Sequence, residues 1–457
     1  MANATNGQLK RVLKPVHLWA IAVGLVISGE YFGWNYGWAV SGTIGFLIAT
    51  LVITLMYVTF IFSYTELTTA IPHAGGAFAY AYRAMGPFGG LIAGYATLVD
   101  FLFATPAIAA ALGAYLNFLW PAIPALYSAL FFNVVFIAIN WLGVKESAVF
   151  SVFITVLAVA ELLLFMGLVA PHFKMTNFMS HPMPFGWAGV FAALPFAVWF
   201  YLAIEGVAMV AEEVKEPKRN IPRGYISGLA TLVFLALGVM IFTGGITDWR
   251  NLDKTTDPLP EAIRYALGNG SSLTKIFAGI GLFGLIASFH GTILASSRQV
   301  FAMARSGYMP RFLSKVNPRF KTPHWALVAG GGISFIALST GTTDQIVVIS
   351  VMGAVLMYMM SMISLFMLRV KEPRLDRPFA SPFYPVFPAV ALLISAVTLF
   401  AMIYFNFTLS LYFFGGLAVI VAAFVMMGKH KVKITIDTNF TNEDEFSRIE
   451  LDTNGHE

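Results

Sequence analysis

Apolar runs of about 18 residues or more follow one another along this chain, each long enough to cross a bilayer as a helix. That recurrence limits the fold more than any other feature. Inside hydrocarbon a segment must satisfy its own backbone, so the runs permit helices and little else. They fall at 16–40, 42–70, 87–117, 123–143, 147–170, 187–211, 223–246, 272–304, 323–341, 345–369, 383–405 and 408–428, which predicts twelve spans. Composition agrees: 58% of the 457 residues are hydrophobic and 11% charged, against about 25% charged in an ordinary soluble domain. The class is an all-α integral membrane protein.

Orientation follows from the basic residues. With the N-terminus placed in the cytoplasm, 23 of the 28 Lys and Arg fall in inside segments, among them Lys215–Arg223 and Arg298–Lys321. Both termini are therefore expected to be cytoplasmic, in a plasma or bacterial inner membrane. The first run is too long for a signal peptide and lacks a small-residue cleavage site, so it is expected to remain as a span. No cysteine is present, which excludes disulfides and thiol chemistry.

Between the spans there is no room for a soluble domain. The outside loop 247–271 carries a short amphipathic piece near 260–268, expected to lie over an entrance. The Pro-rich stretch 371–388 sets the last two spans apart from the first ten. The predicted divisions are a cytoplasmic segment 1–15, spans one to five over 16–170, spans six to ten over 187–369, accessory spans over 383–428, and a polar, largely disordered tail 429–457.

Two spans share an unusual local chemistry. The first contains Gly29-Glu30-Tyr31-Phe32-Gly33-Trp34 and the sixth Trp199-Phe200-Tyr201-Leu202-Ala203-Ile204-Glu205-Gly206. Each joins a glutamate, a glycine and an aromatic cluster near mid-membrane. Interrupted helices at matching places in two halves point to a substrate site. A charge at the centre of a helix costs about 2.5–3.5 kcal/mol to insert, so Glu30, Asp100, Glu161, Glu205 and His290 are functional candidates. The bland alternative is a protonated carboxyl, or a neutral His, bonded to a neighbouring helix.

The sign of these charges is informative. Four carboxylic acids lie at this depth with no Lys or Arg beside them. Such a cavity favours a small organic cation over an anion. Tyr31, Phe32, Trp34, Trp199 and Tyr201 offer ring faces to an ammonium, worth about 0.5–2 kcal/mol each. Ordinary packing remains the alternative for each ring. Glu66 lies near a span end before Pro72 and reads as structural. No Gly-rich phosphate loop with a lysine appears, nor a metal-type histidine spacing, so ATP, metals and other cofactors are not expected. Nucleic acid is not an expected partner either; the partners are the bilayer, the small substrate and a candidate coupled proton.

Three segments carry a resemblance: "ELTTAIPHAGGAFAYAYRAMGP" (Glu66–Pro87), "AEEVKEPKRNIPRG" (Ala211–Gly224) and "ASSRQVFAMARSGYMPRFLSKVNPRFKTPHWAL" (Ala295–Leu327). In order and spacing they resemble the amino acid–polyamine–organocation transporter superfamily. That resemblance implies a LeuT-like 5+5 inverted repeat with broken first and sixth helices, two extra C-terminal helices, and transport rather than enzymatic activity. It also implies a substrate site at Glu30, Tyr31, Phe32, Gly33, Trp34, Trp199, Tyr201, Ala203 and Glu205.

The departures sharpen the expectation. Amino-acid carriers of the superfamily usually have Gly-Ser-Gly at the first break, whose amides receive a carboxylate; here the residues are Gly33-Trp34-Asn35. Trp34 is expected to block that nest, which favours the ethanolamine permease branch. Many relatives have a lysine where Glu161 stands, so their coupling scheme does not transfer; Glu205 matches a position linked in relatives to protonation and gating. Glu205, Glu161, Asp100 and His290 are the coupling and gating candidates. An amino acid or polyamine exchanger of the same superfamily is the nearest alternative, and a nutrient sensor or a channel a remote one.

Overall fold

The computed structural model describes residues 11–143, 148–268, 272–320 and 322–428. Residues 1–10 of the N-terminal segment, Lys145, Lys321 and the polar tail 429–457 lie outside the described residues. The helices are α1 Pro15–Val26, α2 Ser28–Tyr31, α3 Tyr36–Ala70, α4 Ala77–Leu119, α5 Ala125–Trp141, α6 Ala148–Val169, α7 Met175–Phe178, α8 Gly186–Trp199, α9 Pro217–Gly244, α10 Pro258–Leu267, α11 Ser272–Arg305, α12 His324–Thr340, α13 Thr343–Lys371, α14 Val386–Phe405 and α15 Phe407–Met426. A 3₁₀ segment, Ile204–Glu213, continues the line of α8. Strands are absent among the described residues; a single bridge joins Leu13 to Val214.

Local chemistry sets these boundaries. Pro15, Pro217 and Pro258 open their helices, where a missing N–H costs nothing and the fixed φ is already helical. Thr342 and Gln345 form a capping box at the head of α13. Hydroxyls on the long helices bond back along their own helix, as Thr50 does to the Phe46 carbonyl (2.8 Å) and Ser63 to that of Thr59 (2.8 Å). Non-helical backbone at Gly42 and Gly86, both with positive φ, divides α3 and α4.

Nine helical stretches among the described residues are long and apolar enough to cross a membrane. Three shorter apolar helices, α1, α5 and α12, occupy the runs read as the first, fourth and ninth spans. Their shortness has visible causes. The first run is interrupted near its middle, leaving α1 at 12 residues. The 17 residues of α5 and of α12 rise about 26 Å, just under the hydrocarbon thickness of about 30 Å.

In the interior α4 packs along α13, α3 against α8, and α1 against α9, α6 and the 3₁₀ segment. One end of the bundle is closed by backbone pairing: Val12 and Leu13 N–H groups bond to Glu213 O (2.9 and 3.0 Å), and Lys215 N–H to Leu13 O (2.9 Å). At the ends of α3 and α13, buried Glu66 accepts hydrogen bonds from Nε and Nη2 of Arg369 (2.7 and 2.6 Å) and from the Ser381 N–H (2.7 Å), and pairs with Arg377 (3.2 Å). Glu66 thereby fastens the linker before α14 to the core. From the first of these closures α9 rises about 42 Å over its 28 residues and delivers the chain to the loop bearing α10.

Candidate functional site

The first run stops being helical at Phe32, which is extended (φ −162°, ψ 171°), and at Gly33, whose φ is +91°. Asn35 then heads α3 without using its side chain as a cap. Its carboxamide oxygen accepts the Gly33 N–H (3.1 Å), while its nitrogen donates to Leu252 O (2.7 Å) and Thr255 O (2.8 Å). Asn35 is wholly buried. The Trp34 indole turns away from the Gly33 amide: it stacks on Phe200 (5.5 Å between centroids), meets Trp38 edge-on (4.8 Å), and donates to Glu30 O (3.1 Å). Asn35, rather than Trp34, is therefore the residue on the Gly33 amide.

The second interruption follows α8. Residues 200–203 leave the helix, and Ala203 takes a left-handed conformation (φ 78°, ψ 2°) before the 3₁₀ segment starts. The two interruptions interlock. Trp199 Nε1 donates to Phe32 O (2.9 Å), and the two rings meet edge-on at 5.5 Å. A Cβ on Gly33 would lie 2.4 Å from Trp199 Nε1, and one on Gly29 2.4 Å from the Trp199 carbonyl. Only residues without side chains let the two breaks approach this closely.

Around the breaks lie the carboxyls. Glu30 is completely buried, and neither of its oxygens has a hydrogen-bond partner among the described residues. An uncompensated polar group out of water is costly, so such a group is one that a ligand would satisfy. Glu161, on α6, accepts the Tyr31 hydroxyl (2.6 Å), and Tyr115 donates to Tyr31 O (3.2 Å). Glu205, on the 3₁₀ segment, accepts the Tyr358 hydroxyl (3.1 Å), which is bonded to that of Tyr57 (2.8 Å). The Asp100 carboxyl of α4 faces that of Glu205 at hydrogen-bonding range and takes a contact from Ser350 (3.3 Å).

Above the first break, residues 248–267 form a lid. Trp249 Nε1 donates to Ser180 O (3.0 Å), and Tyr36 bonds to Thr256 (3.2 Å). The Arg250 guanidinium and backbone amide hold the Asp248 carboxyl well below its ordinary range. Asp257, at the head of α10, is pushed up to about 6, chiefly by burial; Glu261 adds to the rise, and the Thr255 hydroxyl and Arg264 oppose it.

Glu30, Tyr31, Phe32, Gly33, Trp34, Trp199, Tyr201, Ala203 and Glu205 thus sit on the two interruptions, and every one of them is buried. Their rings mostly contact one another; Tyr201, for instance, bonds to Thr54 (2.7 Å) and leans on Tyr57 (4.9 Å). His290 is not brought there. It bonds to Asn140 (3.1 Å) and lies beside Phe136, on the α5 side of α11. Sequence reasoning missed Asn35, Tyr57 and Tyr358. The available signal was a polar atom at mid-span, which needs a partner when buried.

Interrupted helices paired at the centre of a multi-pass helical protein, around an unpartnered carboxyl, define the class of membrane transporters. A family model described as amino acid permease matches residues 13–435, and the chain belongs to that family. An uncharacterized transporter of Rhizobium meliloti (strain 1021) is 32% identical over 416 residues, covering 88% of each chain. The methylthioribose transporter of Bacillus subtilis (strain 168) is 29% identical, covering 85% of this chain and 88% of its own. The branched-chain amino acid permease of the same organism is 27% identical, with the same two coverages.

Proposed function

We propose that this permease carries ethanolamine or a closely similar small organic amine by alternating access. The observation that carries the reading is Glu30: a buried carboxyl beside the first break with no hydrogen-bond partner among the described residues. An ammonium supplies both the charge and the donors it lacks. In this reading the chain has twelve spans in a LeuT-like 5+5 inverted repeat plus two accessory helices, with both termini cytoplasmic and the α10 lid outside. Glu205 assists Glu30, and backbone groups at the breaks take the substrate hydroxyl.

Protonated ethanolamine enters down the membrane potential, worth about 2.3 kcal/mol per 100 mV, or roughly fiftyfold accumulation without any coupled ion. Proton symport is compatible with these energetics but not required by them. The Asp100–Glu205 pair is the proton site of this reading, with Glu161 second. An amino acid or polyamine exchanger is the second reading, favoured by the similarity to a branched-chain amino acid permease.

The test is uptake of labelled ethanolamine into proteoliposomes under a negative-inside potential, challenged with excess alanine, arginine or putrescine. Saturable uptake that only small amines block is expected, with Glu30→Gln cutting it at least tenfold. Strong competition by alanine or putrescine would move the substrate class to the second reading, and unchanged uptake in Glu30→Gln would remove Glu30 from the site.

A further inference from the structure

We infer that the loop joining α11 to α12 is a docking surface for anionic phospholipid headgroups, formed by Arg311, Lys315 and Arg319 beside a belt of aromatic rings. The inference holds whichever substrate is carried.

The sequence sets this loop apart. From Ala262 to Thr343 the chain has no Asp or Glu, yet six Lys and Arg fall between Arg298 and Lys321. Other basic loops are of mixed sign: three Glu lie among the four basic residues of 212–223, and Glu372 and Asp376 lie among Lys371, Arg374 and Arg377. The structure shows the consequence. Arg83, Lys218, Arg369 and Arg377 have carboxylate partners. Arg311, Lys315 and Arg319 are exposed and make no ion pair among the described residues.

Rings put the loop at the membrane surface. Helix α11 is long and apolar enough to cross a membrane, so its end meets the boundary with water. A chain of rings runs along that boundary from the end of α5. Trp141 lies 5.3 Å from His324, His324 5.4 Å from Trp325, and Trp325 meets Phe312 edge-on at 6.2 Å. Phe312 and Trp325 are 49% and 44% exposed, and such rings at a span end belong at headgroup level. Phe312 and Val316, both exposed, alternate with Arg311 and Lys315 in one short stretch.

The surface is also shaped in advance. The Tyr308 hydroxyl donates to Pro87 O (3.0 Å), Leu313 is buried, and Asn317 Oδ1 accepts the N–H groups of Arg319 and Phe320 (2.9 and 3.1 Å). Thr322 donates to Trp141 O (2.8 Å) and ties the loop to α5. A backbone so held loses little freedom on binding. An anionic phospholipid brings the counter-charge that this stretch of chain lacks, and its acyl chains cover Phe312, Val316 and Trp325. Soluble phosphate would meet the charges and leave the rings in water.

The experiment offers phosphatidylglycerol and phosphatidylcholine in equal amounts to the full-length protein in detergent and counts bound molecules by native mass spectrometry. Each basic residue near an anionic surface contributes about a fivefold preference, so the parent is expected to favour phosphatidylglycerol by about tenfold or more. Arg311→Gln, Lys315→Gln and Arg319→Gln combined are expected to abolish that preference, and Arg311→Gln or Arg319→Gln alone to lower it about fivefold. A charge-matched control, Lys215→Gln, Arg223→Gln and Arg374→Gln combined, removes exposed basic residues from the mixed-sign loops and is expected to keep it. Glycerol phosphate in the same amount, which carries the charge without acyl chains, is expected not to displace the lipid.

No preference in the parent, an unchanged preference in the loop variants, or an equal loss in the control would each overturn the inference. Displacement by glycerol phosphate would overturn it as well, because the surface would then be a site for soluble anions.

Discussion

Replacing Gly33 by alanine tests the interlock between the two breaks. Gly33 has φ +91°, a region L-residues rarely occupy, and forcing alanine into it costs about 1–3 kcal/mol. The new Cβ would also lie 2.4 Å from Trp199 Nε1 and 2.6 Å from Cδ1. Trp199 must then shift, which adds about 1–3 kcal/mol of overpacking. The same shift breaks the 2.9 Å bond to Phe32 O, adding about 0.5–1.5 kcal/mol. Gly86 is a matched control: its φ is +74°, but a Cβ there meets nothing within 4 Å. Gly86→Ala pays backbone strain alone. The predicted difference between the variants is about 1.5–4.5 kcal/mol, the sum of the overpacking and hydrogen-bond terms. Thermal unfolding in detergent and initial uptake rates in proteoliposomes read it directly. Gly33→Ala should lose transport and melt well below Gly86→Ala. Equal melting and equal uptake would refute the claim that Trp199 seals the breaks against each other.

Three further perturbations follow from other contacts. Glu66→Ala leaves Arg369 and Arg377 without their buried partner, and a loss of about 3–5 kcal/mol in thermal stability is expected. Tyr358→Phe removes the donor to Glu205 and the partner of Tyr57, so uptake should fall further than in Tyr57→Phe, where Tyr358 keeps its bond to Glu205; parallel uptake assays decide this. For the lid, Asp257 binds its proton more tightly when docked (about 6) than its ordinary value of 3.8 allows, so docking is strongest below that value and weakens as pH rises through about 6. Hydrogen exchange of residues 248–267 should quicken across that window and lose the dependence in Asp257→Asn.

The chain announces its helical membrane character because apolar runs of bilayer length have few other uses. Interruption near Gly33 was legible for a related reason: glycines and a glutamate within one apolar run are hard to reconcile with an unbroken span. Helix length was less legible, because hydropathy cannot see that α5 and α12 stop after 17 residues. Site residues named for their chemistry were easier to find than those named for their reach. Asn35 looks unremarkable until the fold brings Leu252 and Thr255 to it from over 200 positions away. His290 has suitable chemistry, but the rotation of α11 aims it at Asn140, and no local pattern encodes that rotation.

The Glu66 fastening also has a history in time. Its chief partner, Arg369, follows it by 303 positions. A ribosome adding about 5–20 residues per second needs roughly 15–60 s to cover that interval. For that period a carboxyl destined for burial has been made and its guanidinium partners have not. The end of α3 must wait without that partner while the later helices are made. The last section of core to be synthesised is thus the one that secures one of the first, and a chain truncated before Arg369 would carry its unpaired acid as a mark that assembly was never finished.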